Sequence, residues 1–140
     1  GADYAEYFEW KDGNPNNEDR AGYSVTMVSG DKIGITQSSG QIPIGVVSRS
    51  AGVVGNAGWN SWPRKYQKDV WGKYIRDVCG GPILNPDYDE NMEYISREDR
   101  PEWDTIGLLG KLRMRRGQIT GSNWLKLRDI TDNVEEWLVK

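Results

Sequence analysis

Three carboxylates open the chain at intervals of three, Asp3, Glu6 and Glu9, set among Tyr4, Tyr7, Phe8 and Trp10. Two carboxyl groups held together, or one pressed against aromatic rings, cannot both ionise freely, so one keeps its proton at neutral pH. Such a pair can cut an amide: the ionised member takes a proton from water and the protonated member donates to the departing nitrogen. Spacing leaves the geometry open. On a helix the acids share one side, whereas on a strand Asp3 and Glu6 point to opposite faces. The plainer alternative is a set of solvated charges around an aromatic plug.

Other chemistries have weaker support. The chain contains no His, which removes Ser-His-Asp and Cys-His catalysis and imidazole zinc sites, and no metal site is expected. Cys79 is the single cysteine; with no partner for a disulfide or a catalytic pair, it is read as a small buried residue. Ser48 or Ser50 beside Arg49, or Ser61 near Lys65, would be needed for Ser-Lys catalysis, and adjacency in sequence is poor support for it. The Gly52–Gly58 stretch lacks Gly-Lys-Thr spacing and reads as a tight turn or subunit contact rather than a phosphate cradle. Trp59, Trp62, Tyr66, Trp71 and Tyr74 suit either a sugar-stacking platform or, more simply, a core or trimer interface.

The elements that must position these groups read as mainly β. The chain has 140 residues and is expected to form a single domain over 1–140. Residues 11–22 are turn-rich and read as an exposed loop; 23–28 and 33–36 predict a hairpin around Ser29–Lys32, and 42–48 a buried strand with Pro43 at its start or at an edge. Residues 63–78 fit a helix or a loop followed by a strand, with neither favoured. The 79–104 segment reads as an irregular excursion. Lys111-Leu112-Arg113-Met114-Arg115-Arg116 alternates as a strand with one cationic face, Ile119-Thr120 and 124–127 look like closing strands, and 129–138 predicts a short helix capped by Thr131 or Asp132. No internal repeat is expected. A net charge of −3 and a pI near 5.0 argue against nucleic acid, and neither a membrane span nor a targeting segment is expected.

The opening Gly1-Ala2-Asp3-Tyr4-Ala5-Glu6-Tyr7-Phe8-Glu9-Trp10 then gains meaning from its company. Together with Asp12-Gly13-Asn14, Arg20, Gly22-Tyr23, Ile44-Gly45-Val46-Val47-Ser48, Gly52-Val53-Val54-Gly55-Asn56 and Trp103-Asp104-Thr105-Ile106-Gly107-Leu108-Leu109-Gly110, it resembles the intramolecular-chaperone autoprotease domain at the C-terminus of bacteriophage pre-neck appendage (tailspike) proteins, a family classed with the glutamic peptidases. The resemblance implies a compact β domain, with one or two short helices, that assembles as a homotrimer, folds the fibre preceding it in its own precursor, and then cuts itself off near its N-terminus. It implies Glu6 as base or nucleophile and Asp3 as its partner, with the bond before Gly1 or between Ala2 and Asp3. A bond tethered beside its own catalyst gains effective molarities of about 10⁵ M or more, so a modest catalyst suffices for one cut. No cofactor is required for cleavage; ATP-assisted release, and assembly in the cytoplasm of the infected bacterial host, are further implications. The alternative is a non-catalytic trimerising or carbohydrate-binding fibre tip.

Overall fold

The computed structural model describes residues 2–57 and 64–140. They fall in two compact units, Gly1–Ala57 with Arg97–Lys140, and Gly58–Ser96.

The first unit is built from eight strands: β1 (Asp3–Trp10), β2 (Ser24–Ser29), β3 (Lys32–Ile35), β4 (Pro43–Val47), β5 (Val53–Val54), β6 (Trp103–Arg115), β7 (Leu125–Asp129) and β8 (Val134–Val139). Five of them close a barrel in the order β1-β3-β2-β4-β6, because β6 also pairs with β1. The β1–β3 contact is parallel and the other four are antiparallel. Closure removes most free edges, which a β-rich sequence must otherwise protect. Trp10, Val25, Ile33, Val47 and Ile106 form the buried core of the barrel. Val46, next to Val47 and so facing the other way, joins Leu112, Met114, Trp124 and Val139 in a second cluster.

The long strand β6 serves both clusters. Its first half pairs with β1 and β4, and its second half, from Gly110 to Arg115, pairs with β8. The expected alternation holds there: Leu112 and Met114 are buried while Lys111 and Arg113 are exposed. Close approach of β4 to β6 explains the glycine in Ile44-Gly45-Val46, since a Cβ on Gly45 would lie 2.3 Å from Gly107 O.

The predicted hairpin and the predicted strand beginning at Pro43 are present as β2–β3 and β4. Three readings are corrected. The 129–138 segment is no helix: it is the turn of the β7–β8 hairpin followed by β8, with the N–H groups of Ile130 and Thr131 donating to Val134 O at 2.8 and 3.1 Å. Asn133 N–H donates to Thr131 Oγ1; Thr and Asp favour such turns for the same reason they favour helix caps. Ile119-Thr120 is not a strand; of the two closing strands expected after Gly117, the second alone is present, as β7. The 11–22 loop is not simply exposed either, because Asn14 and Arg20 are buried. Asn14 accepts from Glu18 N–H and donates to Glu18 O, and the Arg20 guanidinium lies 4.5 Å from the Trp10 ring centroid while donating to Asp12 and Glu18. The only helical element among the described residues is the 3₁₀ turn Arg97–Asp99.

The second unit contains no helix among its described residues, and the helical reading of 63–78 is set aside there for 64–78. Isolated bridges join Tyr66 to Leu84, Lys68 to Tyr74 and Arg76 to Pro82. Two tight turns repeat one pattern, Asp69-Val70-Trp71-Gly72 and Asp77-Val78-Cys79-Gly80, which the expectation of no repeat missed. In each, one aspartate oxygen accepts the N–H groups two and four residues later, and the glycine takes a positive φ of 81° or 84°. That side-chain capture competes directly with helical hydrogen bonds.

Candidate active site

Because Asp3–Trp10 is a strand, the three acids are separated by parity. Asp3 stands opposite Gly110, Glu6 opposite Ile106 and Glu9 opposite Trp103 on β6. Glu6, half-buried, shares the strand face of Phe8 and Trp10; Asp3 lies on the other face, with Ala5. Three residues of strand also separate Asp3 from Glu6 by about 10 Å along the backbone. Their carboxylates have separate partners.

Asp3 is buried, and its Oδ2 accepts a hydrogen bond from the buried Ser48 hydroxyl at 2.9 Å. Ser48 itself is fastened to β6, since its N–H donates to Thr105 O at 2.9 Å and its carbonyl accepts from Thr105 Oγ1. A Cβ on Gly107 would lie 3.0 Å from Asp3 Oδ2, so a glycine makes the room for this carboxylate. Glu6 Oε2 accepts from the Tyr4 hydroxyl at 3.2 Å. Desolvation and then the Glu6 carboxylate hold the Tyr4 hydroxyl above the ordinary tyrosine range. Glu9 does not join the pair; it sits 2.6 Å from Lys32 Nζ as a cross-strand ion pair in the parallel β1–β3 ladder.

The Gly52-Val53-Val54-Gly55-Asn56 run braces β1 along its other edge. Gly52 N–H donates to Asp3 O at 3.1 Å and Gly55 N–H to Ala5 O at 2.9 Å. Asn56 then continues the ladder with its side chain, accepting from Tyr7 N–H at 2.6 Å and donating to Tyr7 O at 3.1 Å. With those N–H groups committed to β1, residues 52–56 do not fit a phosphate cradle. Gly55 also leaves space for the Tyr4 side chain, whose hydroxyl a Cβ would meet at 2.0 Å.

Among the other nominated groups, Ser48 has no lysine; it is the partner of Asp3. Arg49 turns away to Asp104 and Asp19. Ser61, Trp59 and Trp62 lie outside the described residues. Cys79 is exposed, at the tip of its turn, against the expectation of burial. Asp104 went unnominated. It is 3% exposed and accepts from Trp10 Nε1 at 3.0 Å and from Arg49 at 2.6 Å, tying the end of β1 to β6. Burial raises its pKa against the opposing pull of Trp10 and Arg49.

Beside Asp3 opens a cavity of about 1000 Å³, lined by Ala2, Asp3, Ser48, Gly22, Lys111 and Arg113 among others. The site thus holds a buried carboxylate at the start of β1, oriented by Ser48 beside a cleft, and a second carboxylate on the opposite face of the same strand.

Comparison with known proteins gives the same direction. The family model described as Peptidase_G2, IMC autoproteolytic cleavage domain, matches residues 1–80 and 76–137. The pre-neck appendage protein of Bacillus phage B103 is 37% identical over 123 residues, which are 81% of this chain and 14% of that protein. The chain thus spans a small part of the length of such relatives. The crystal structure of the pre-mature bacteriophage phi29 gene product 12 matches with a TM-score of 0.81 and 28% identity, over 99% of this chain and 21% of that one. The crystal structure of the bacteriophage phi29 gene product 12 C-terminal fragment matches with a TM-score of 0.72 and 29% identity, over 99% of this chain and all of that one (100%). The chain belongs to the Peptidase_G2 family of IMC autoproteolytic cleavage domains.

Proposed function

We propose that this domain folds and trimerises the fibre that precedes it in a phage appendage precursor, during virion assembly in the host cytoplasm, and then releases itself by cutting the junction at or just before Asp3. Glu6 acts as base or nucleophile and Asp3 as its partner beside the bond. The observation that supports this best is the seating of Asp3: a buried carboxylate at the first residue of β1, oriented by Ser48 and adjoining an open cleft. A purely structural acid has no need of that cleft. Cleavage after assembly makes the fold of the fibre hard to reverse, a kinetic form of stability.

The parity of β1 supports a reading in which the two acids do separate work. Asp3 stays with its own junction, whereas Glu6 on the opposite face serves the junction of a neighbouring copy in the trimer. The test is expression of the domain with its upstream fibre segment and a denaturing gel. Two pieces are expected from the wild type and one from Glu6→Gln, which keeps the shape of the side chain but loses the base; full cleavage of Glu6→Gln would remove Glu6 from the mechanism.

A second reading, a non-catalytic fibre tip, draws on the exposed Trp71 (90% accessible) and Tyr74 (46%) of the second unit. Val70 beside them is 91% exposed, an aliphatic neighbour that suits a protein surface better than a sugar. Under that reading the wild type also gives one piece.

A further inference from the structure

One edge of β6 carries an interrupted ladder. Gly110 pairs with both Asp3 and Val139, so β1 and β8 occupy opposite edges of β6. On the β1 edge, Lys111 N–H donates to Ala2 O at 3.2 Å and Arg115 N–H donates to Gly22 O at 2.9 Å. Alternate residues of a strand turn their N–H groups to the same edge, so Arg113 presents its N–H between these two bonds. The cavity of about 1000 Å³ lies against this gap.

The direction of β1 determines what would fill it. β1 is antiparallel to β6 and Ala2 bonds Lys111, so a continuation of β1 beyond Ala2 in the same register would come opposite Arg113. Gly22 ends the run at Arg115. Gly110, at φ +115°, allows the strands to meet closely, because a Cβ there would sit 2.3 Å from Ala2 O. Lys111 and Arg113 are exposed and take no part in an ion pair among the described residues. The lining acids are engaged elsewhere: Asp3 with Ser48, Asp19 with Arg49, and Glu136, opposite Arg113 on β8, with Arg128.

We propose that this cavity binds the peptide leading into Ala2 in the precursor, as a short extension of β1 along β6, with an acidic side chain favoured two residues before Ala2, opposite Arg113. Strand addition supplies main-chain hydrogen bonds, and the cation on the shared face supplies selectivity. The inference rests on the reading that the junction is cut in this domain, and deepens it by naming the subsite on the leaving side.

The test uses the precursor with its own upstream segment. The residue two before Ala2 is set to Asp or to Lys, each with wild-type Arg113 and with Arg113→Glu. The Asp form should be processed roughly threefold faster than the Lys form in the wild type, with the order reversed in Arg113→Glu and both differences reduced by salt. Equal rates in all four overturn the subsite and leave the cleavage reading intact. A natural precursor that stays whole overturns the cleavage reading, and the subsite is then judged by hydrogen exchange on that precursor. There the Arg113 amide should exchange more slowly than in the domain produced without its upstream segment, and equal exchange overturns the proposal.

Discussion

At the scale of single residues, the chemistry turns on which groups orient a carboxylate. Asp3 was nominated by the family resemblance, since spacing alone fits solvated charges as well, and neither pointed to Ser48, the group that holds it, 45 residues away. Sequence adjacency suggested Arg49 as the company of Ser48, yet neighbours on an extended chain point in opposite directions, and Arg49 serves Asp104 instead. Glu9 shows the converse: its place in a regular series was visible and its engagement with Lys32, across a parallel pairing, was not. Removing the Ser48 hydroxyl leaves Asp3 Oδ2 buried with one hydrogen bond fewer. A charge-assisted bond of this kind contributes about 1.5–3 kcal/mol, so Ser48→Ala is expected to slow self-processing by roughly tenfold or more. Ser48→Thr, which keeps the hydroxyl, should recover most of that rate. Gel time courses of the precursor check both, and wild-type rates in Ser48→Ala would leave Ser48 with a structural role only.

At the scale of elements, legibility followed the strength of the local pattern. Alternation around a turn marked β2–β3, and a β-branched run after Pro43 marked β4, because both patterns are read on one strand at a time. The last strand was misread since Thr131, Asp132 and Asn133 can stop a strand as readily as start a helix, and pairing of Val134–Val139 with β6 decides between them. The same competition governs Asp69 and Asp77, whose side chains take up the N–H groups a helix would use. The sequence shows a glycine within β4 but not what comes close to it. For Gly45 the partner is the backbone of β6, which cannot yield as a side chain would. Gly45→Ala should therefore destabilise the barrel by about 1–3 kcal/mol, seen as a lower denaturant midpoint, whereas Gly30→Ala, where a Cβ meets nothing within 4 Å, carries only the strain of its positive φ. Equal midpoints for wild type and Gly45→Ala would show that β4 and β6 part easily.

At the scale of the whole molecule, the question is whose junction each Glu6 serves. Along one extended strand the side chain of Glu6 starts about 10 Å from Asp3 and on the wrong face, so action on its own junction would require β1 to come off the barrel. Its pairing with β6 across Asp3–Glu9, and the bracing by residues 52–56, oppose that. In the proposed closed ring a neighbour's junction would be brought to Glu6 with β1 left in place, which would make cleavage conditional on assembly. Mixed trimers separate the two cases. When tagged Glu6→Gln precursor is co-produced with an equal amount of wild type, about half of the Glu6→Gln chains have a wild-type neighbour in the acting position of a head-to-tail ring. That fraction should be cut, although Glu6→Gln alone is not, and a fibre truncation that blocks assembly should abolish the cut in wild type as well. If tagged Glu6→Gln chains stay whole in purified mixed trimers while their wild-type companions are processed, each Glu6 works on its own chain, and β1 must unpair before the junction is cut.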